Sequence, residues 1–473
     1  MAGTGAGRSA PEVVLPHGGR LRGAWDGELC VFKGVRYARE PVGNLRFEPP
    51  QAQPPWQGLR AATEFGPVAP QWPRSGAQLL GAQDSLRLNV WAPAVAAGER
   101  LPVMVWVHGG GFFRGGASDP LYDGAAFARQ GLVFVSIQYR LGVDGFAYLP
   151  GAPANRGLLD QIAALRWVRD CIGAWGGDAQ QVTVFGQSAG AGALACLMGM
   201  PQSRGLFHRA ILQSPSVACQ TRDEAETALR AIAALAGVAP TRAAFAAAPL
   251  EPLLKAVHRL AADPALRRAH GIGSRQFFPL RPVIDGECLR AEPLAALAQA
   301  WAAQPSTLQL LVGHNAEEMR LYHVPGNGLA RISQADLQDF GAATGLAPEP
   351  DAGSPGEQLC RLQSHYYYAE PAQRLAELAG RSARSSHRYV FEWRSPQWAG
   401  QLGAAHGVEL PFVFNNLAAA TAQELAGRGA PAWLAQRMHA AWARFALTGD
   451  PGWPRHDRAG AWTERFDGAG SGD

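Results

Sequence analysis

Residues Val182 to Gly190 read VTVFGQSAG, a short apolar run that enters a glycine-flanked serine. A serine hydroxyl is a weak nucleophile until something positions it and takes its proton, and a G-x-S-x-G turn does the positioning. The chain must reverse from strand to helix within a few residues. Side chains at Gly186 and Gly190 are therefore expected to clash with neighbouring backbone, while Ser188 is pushed outward with its hydroxyl free. The N–H of Ala189 would sit at the helix start, where the dipole favours developing negative charge. In a chain with 56 glycines among 473 residues one such motif is weak alone.

Supporting parts follow in order. Leu101 to Phe113 reads LPVMVWVHGGGFF, an apolar strand running into three glycines, which brings backbone amides close to an oxyanion without side chains in the way. Gly110 and Gly111 are the expected donors, with Ala189 as the third. No GxGxxG or GKS/T pattern completes a phosphate cradle around those glycines. Thr307 to Met319 reads TLQLLVGHNAEEM, an apolar strand followed by two adjacent acids, one of which would orient an imidazole. Gly403 to Phe414 reads GAAHGVELPFVF and places His406 in a loop. The order is oxyanion loop, serine, acid, histidine, unlike either of the two best-known serine-protease arrangements.

The elements that must hold these residues alternate. LPVMVWV, LVFVSI, VTVF, LQLLV and YVFEW read as buried strands, and helical patterns such as GLLDQIAALRWVRDCI lie between several of them. The reading is an α/β fold with a largely parallel sheet and helices on both faces. The Ala-rich stretch 221–262 and the region 333–378 have helical composition without strand signals, and are expected as inserted helices around the site mouth. Pro and Gly cluster in Pro41 to Pro73, an irregular segment forming one rim of the pocket. Because Gly110 and His406 must meet, residues 1–473 are read as one catalytic domain with fraying, glycine-rich ends at 2–7 and 468–472.

Composition sets limits. A hydrophobic fraction of 47% and a charged fraction of 17% suit a buried core. A net charge of +4 without a dense Lys/Arg run argues against nucleic acid. The six cysteines show no CxxC or metal-finger spacing, and HExxH is absent, so no metal or other cofactor is expected. Neither a signal-peptide apolar core nor a run of 18 strongly apolar residues is present; no membrane partner and cytoplasmic residence are expected.

Ten ordered blocks resemble the type B carboxylesterases, the family shared by bacterial para-nitrobenzyl esterases, mammalian carboxylesterases and cholinesterases. They include FKGVRYARE-PVGNLRF at Phe32 to Phe47, QDSLRLNVWAP at Gln83 to Pro93, HGGGFFRG at His108 to Gly115, GQSAGA at Gly186 to Ala191 and HGVELPFVF at His406 to Phe414. The resemblance spans nearly the whole chain and implies an α/β-hydrolase fold. It also implies Ser188 as nucleophile, His406 as general base and Glu318, rather than Glu317, as the acid.

Ser214 falls where the family places a hydroxyl supporting that acid. Two positions depart from the family. Met319 stands where glycine usually follows the acid, and Gln187 stands where Glu is common, which removes a negative charge and disfavours cationic substrates. Ser85 replaces one partner of the early disulfide of secreted relatives, so that bridge is not expected. Phe112, Phe113, Phe277 and Phe278 are candidate walls of an apolar pocket, with plain core packing as the alternative. Arg140 and Asp160 are expected as a buried ion pair behind the site. The expected activity is hydrolysis of small to medium uncharged esters of the para-nitrophenyl or para-nitrobenzyl type through an acyl-enzyme. Amides, carbamates or thioesters, or a non-catalytic scaffold of the same fold, are the alternatives. The partner is a small-molecule ester, and monomer and homodimer stay equally open.

Overall fold

The computed structural model describes residues 8–73, 78–94, 96, 98–303, 307–348, 353–382, 385–457 and 460–467. The expected fraying of 2–7 and 468–472 falls outside them. Ten strands form one central sheet: β1 (Ala24–Asp26), β2 (Leu29–Arg36), β3 (Arg87–Pro93), β4 (Leu101–Val107), β5 (Val133–Ile137), β6 (Gly177–Gln187), β7 (Arg209–Gln213), β8 (Gln309–Asn315), β9 (Ser386–Phe391) and β10 (Glu464–Phe466). Their spatial order is β10-β9-β8-β7-β6-β4-β5-β3-β2-β1. Every pair from β10 to β5 is parallel, and β5·β3, β3·β2 and β2·β1 are antiparallel. The antiparallel edge gave no clear sequence signal, because its strands are interrupted by Lys, Arg and Asn.

The continuous apolar runs have a direct cause. Val103, Val105 and Val107 of β4 face one core with Val182 and Val184 of β6, while Met104, Trp106 and Phe185 face a second core on the opposite side. Successive side chains of a strand point to opposite faces, so a sheet covered on both sides needs apolar residues at every position. Helix α1 (Arg156–Cys171) and helix α2 (Ala189–Gly199) cover the first face, and α3 (Ala432–Thr448) covers the second.

Both stretches expected as inserted helices are helical. The first contains Arg222–Ala236, Arg242–Ala247 and Leu250–Ala262, and the second contains Gln334–Thr344, Pro355–Ser364 and Glu370–Arg381. Thr221 and Glu224 form a reciprocal cap that fixes where the first insertion starts. The Pro41 to Pro73 segment is mostly irregular and ends against the oxyanion loop, where the Gln71 side chain accepts from Gly115 N–H and donates to Gly115 O, both at 2.8 Å.

Arg140 and Asp160 meet at 2.7 Å with both side chains buried, as expected. The same guanidinium donates to the carbonyls of Arg46 and Glu48, which ties the irregular N-terminal segment to the sheet. No helix among the described residues is long and apolar enough to cross a membrane.

Candidate active site

β6 ends at Gln187 and α2 begins at Ala189, leaving Ser188 alone at the reversal with φ 59° and ψ −123°. A non-glycine residue held there costs on the order of 1–3 kcal/mol, which the surroundings must offset. Ser188 N–H donates to Gln213 O at 2.9 Å, and Ser188 O accepts from Gly192 N–H at 2.8 Å. A Cβ at Gly186 would lie 2.8 Å from Val107 O, and one at Gly190 only 2.1 Å from the same oxygen. The flanking glycines therefore let the elbow pack against the end of β4, as the motif implied.

The oxyanion loop follows β4. Gly110 and Gly111 both have positive φ, at 115° and 65°, and a Cβ on Gly110 would lie 2.1 Å from Arg114 O. His108 braces the loop from beneath. Its Nδ1 is 2.8 Å from Gly109 O, and its ring stacks on Tyr139, whose hydroxyl donates to His108 O at 2.7 Å. Burial pushes the His108 pKa down to about 4, so the imidazole is neutral at working pH. Among the described residues no protein group accepts from the N–H of Gly110, Gly111 or Ala189. Three free donors beside the elbow are what a developing oxyanion needs.

The other half is built after β8. Glu318 and His406 are both buried, and His406 Nδ1 lies 2.5 Å from Glu318 Oε2 across 88 residues of chain. The second Glu318 oxygen accepts from Asn315 N–H at 2.7 Å, and its carbonyl accepts from His406 N–H at 3.1 Å. Glu317 faces away. It pairs with Arg320 at 2.9 Å, with Arg394, and with Ala404 N–H at 2.9 Å.

With Nδ1–H given to Glu318, Nε2 of His406 keeps its lone pair, and the Gln187 side-chain amide donates to it at 3.0 Å. Among the described residues Ser188 Oγ has no hydrogen-bond partner, so Gln187 and not Ser188 holds Nε2 in this state. Elbow, glycine amides, imidazole and carboxylate gather at the carboxyl ends of parallel strands, where open α/β sheets place their sites.

Residues 9–345 and 334–467 match the model of the Carboxylesterase family. The chain belongs to that family. It is 32% identical to para-nitrobenzyl esterase of Bacillus subtilis, over 94% of this chain and 92% of that protein. It is 33% identical to fumonisin B1 esterase of Sphingopyxis macrogoltabida, over 92% and 83% of the two chains. A solved PNB esterase superposes with a TM-score of 0.80 at 31% identity, covering 97% of this chain and 96% of that one. A carboxylesterase of Geobacillus stearothermophilus gives 0.82 at 33%, covering 96% of each. The protein is a serine carboxylic ester hydrolase with the α/β-hydrolase fold.

Several expected roles in this carboxylesterase are redistributed by the structure. Ser214 N–H donates to Gly313 O at 2.8 Å, but its buried Oγ has no hydrogen-bond partner. The hydroxyl therefore gives Glu318 no support; Asn315 supplies the bond instead. Phe112 turns into the core against Phe146, with ring centroids 4.7 Å apart, because its positive φ points the side chain away from the glycine loop. Phe113 and Phe278 both pack against Gly111, and Phe277 and Phe278 line a small cavity with Ser216, Ala218, Arg281, Tyr367 and Tyr368. Tyr368 lies 4.6 Å from the His406 ring and Tyr322 lies 5.7 Å away, both from regions without a chemical motif.

Met319 needs none of glycine's freedom, since its φ is −76°. Its side chain is buried with Leu337, Phe340 and Tyr368, and its N–H donates to Ser364 Oγ at 3.0 Å.

Glu409 is the residue that sequence reading passed over. It is fully buried and accepts from Asn315 Nδ2 at 2.6 Å and from Gln213 Nε2 at 3.3 Å. Gln213 in turn accepts from Trp442 Nε1 at 3.1 Å, and Asn315 Nδ2 also donates to Ala405 O at 2.7 Å. This network locks the histidine loop to β7 and β8. Burial, reinforced by the Glu318 charge, pushes the Glu409 pKa up to about 7. A lone acid in the otherwise apolar run VELPFVF was the available signal.

Proposed function

We propose that Ser188 is the nucleophile, His406 the general base and Glu318 the carboxylate that orients it, acting on small to medium esters without a cationic group, of the para-nitrophenyl or para-nitrobenzyl type. The observation that carries this reading is the 2.5 Å contact between His406 Nδ1 and Glu318, which turns Nε2 toward the elbow as an acceptor, occupied at rest by the Gln187 amide. When an ester enters, Gln187 releases Nε2 and Ser188 Oγ takes its place. His406 accepts the hydroxyl proton as Oγ attacks the carbonyl, and Glu318 stabilises the imidazolium. The carbonyl oxygen gains charge toward the N–H groups of Gly110, Gly111 and Ala189, each worth on the order of 3 kcal/mol of barrier. Collapse expels the alcohol with the proton from His406 and leaves an acyl-enzyme. Water, deprotonated by the same imidazole, then releases the acid.

Exclusion of cationic esters has support beyond the neutral Gln187. Lys255 Nζ sits 4.5 Å over the Trp72 ring, so a cation of the chain itself occupies that aromatic face. Ser188→Ala is expected to lower turnover of para-nitrophenyl butyrate by more than about 10³-fold while leaving the circular dichroism spectrum unchanged. Activity within tenfold of wild type would overturn the assignment.

A further inference from the structure

A cleft of about 320 Å³ opens on the protein surface between Val217–Cys219 and the helix that begins at Glu370, with Arg275, Glu292 and Arg374 on its walls. Behind it lies a small cavity of about 10 Å³, room for roughly one water, whose walls pack against the catalytic residues. Three sides of that cavity belong to the active site. Ser216 N–H reaches Ser188 O at 3.4 Å, Phe278 packs on Gly111, and Tyr368 packs on His406. Cleft and cavity share Ala218, Arg281 and Tyr367, so these residues are the partition between them.

Arg281 is the anomaly in that partition. Its side chain is 5% exposed, and its nearest carboxylate oxygen, on Glu224, is 3.7 Å away, beyond hydrogen-bond reach. Glu224 already bonds Arg275 and Thr221 N–H. Nε of Arg281 is buried with no partner, and among the described residues the guanidinium makes no hydrogen bond. Burial lowers its pKa, the mark of a cation whose lost hydration is incompletely replaced. The other cleft charges are differently placed: Arg374 pairs with Glu370 at 3.5 Å, and both Arg275 and Arg374 project from the rim at 50% and 60% exposure. A planar fork of five donors, held only by a long ion pair to Glu224 and with Nε unsatisfied, matches a carboxylate.

We infer that Arg281 is the far end of the acyl site, and that it selects esters whose acyl chain ends in a second carboxylate, that is, half-esters of short dicarboxylic acids. The inference rests on the proposed ester hydrolysis at Ser188, and it extends the uncharged substrates considered above to ones carrying an anion on the acyl side. Such an acyl group passes through the neck between Phe278 and Tyr368 and sets its terminal carboxylate on the guanidinium, where the cleft supplies room that the inner cavity lacks. A simple alkyl chain of the same length leaves Nε without a partner and the fork with only its long contact to Glu224, so the discrimination is expected to be large.

The test compares monobenzyl glutarate with benzyl valerate, following benzyl alcohol release by chromatography. These esters share leaving group and chain length and differ in the terminal carboxylate. Wild type is expected to favour the half-ester in kcat/KM by at least about tenfold, and Arg281→Met is expected to bring that ratio to one or below, with Arg281→Lys between them. A ratio is insensitive to the fraction of folded protein. A wild-type ratio at or below one, or a methionine variant that keeps the wild-type ratio, overturns the inference while hydrolysis of benzyl valerate leaves the esterase reading standing. Failure of wild type on both esters would instead remove the reading beneath it.

Discussion

The two halves of the active site are built by different means. The nucleophile half is local: Gly186, Ser188 and Gly190 lie within five residues, and the spacing alone makes the reversal and forces its tight packing on β4. The acid–histidine half is not. Glu318 and His406 lie 88 residues apart, and the loop that presents the imidazole is fastened by Asn315, Glu409, Gln213 and Trp442, from four separate elements. The first half leaves no room for side chains at its glycines, because a Cβ at Gly186 or Gly190 meets the Val107 carbonyl. The second depends on polar partners that must all be satisfied at once. Strain is concentrated on one side and buried charge on the other.

The sharpest way to break the second half is to exchange its neighbours. Glu318→Gln is expected to lower kcat by about 10³-fold or more, because the amide no longer stabilises the imidazolium, whereas Glu317→Gln changes kcat by less than about threefold. Steady-state kinetics on para-nitrophenyl butyrate decide this, and equal effects would contradict the division of labour between the two acids.

For the first half, Gly190→Ala drives a methyl group into Val107 O and is expected to cost several kcal/mol, on the order of 3 or more. Thermal unfolding should fall by several degrees, and an unchanged midpoint would mean the elbow is looser than its contacts imply.

Glu409 sharpens the comparison through pH. Its folded-state pKa is raised to about 7 from an ordinary 4.5, so the native state binds more protons than the unfolded chain between those values. Its contribution is fully present below about 4.5 and is lost as pH rises through 7, by up to about 3 kcal/mol. Glu409→Gln should therefore gain relative to wild type as pH goes from 5 to 8, measured as the difference between denaturant midpoints. A difference that stays constant, or shrinks, would show that the carboxyl does not titrate in that window.

The smallest expected effect is at Ser214. Because its hydroxyl is buried and unpaired, Ser214→Ala should keep kcat within about twofold and leave stability within about 1 kcal/mol. A tenfold loss of kcat would restore its role in supporting the acid.

The contrast also marks what was legible beforehand. Elbow, oxyanion glycines and parallel strands are short-range features, carried by glycine spacing and uninterrupted apolar runs. Choosing Glu318 over Glu317 needed the resemblance to relatives, since both acids follow the same strand and only the direction of the backbone at Asn315 separates them. Tyr368, Arg281 and Glu409 carry no local signature: an arginine before PVIDG or a tyrosine in HYYYA is unremarkable until both are found lining one small cavity. In the sequence Phe112 stays open between pocket wall and core, because two adjacent phenylalanines in a glycine loop look alike until the fold sends one of them into the core.

By itself, then, the sequence determined the doubly covered sheet, the strand-to-helix turn at Ser188 and the class of chemistry, because strand burial and a glycine-flanked turn follow from side-chain size and backbone sterics over a few residues. Only the tertiary structure decided that Gln187 holds the resting imidazole, that the Asn315 N–H rather than the Ser214 hydroxyl bonds Glu318, and that Nε of Arg281 is buried without a partner. Those are matters of which polar group meets which after distant segments have packed, and hydrogen bonding acts over ångströms of space without regard to separation along the chain.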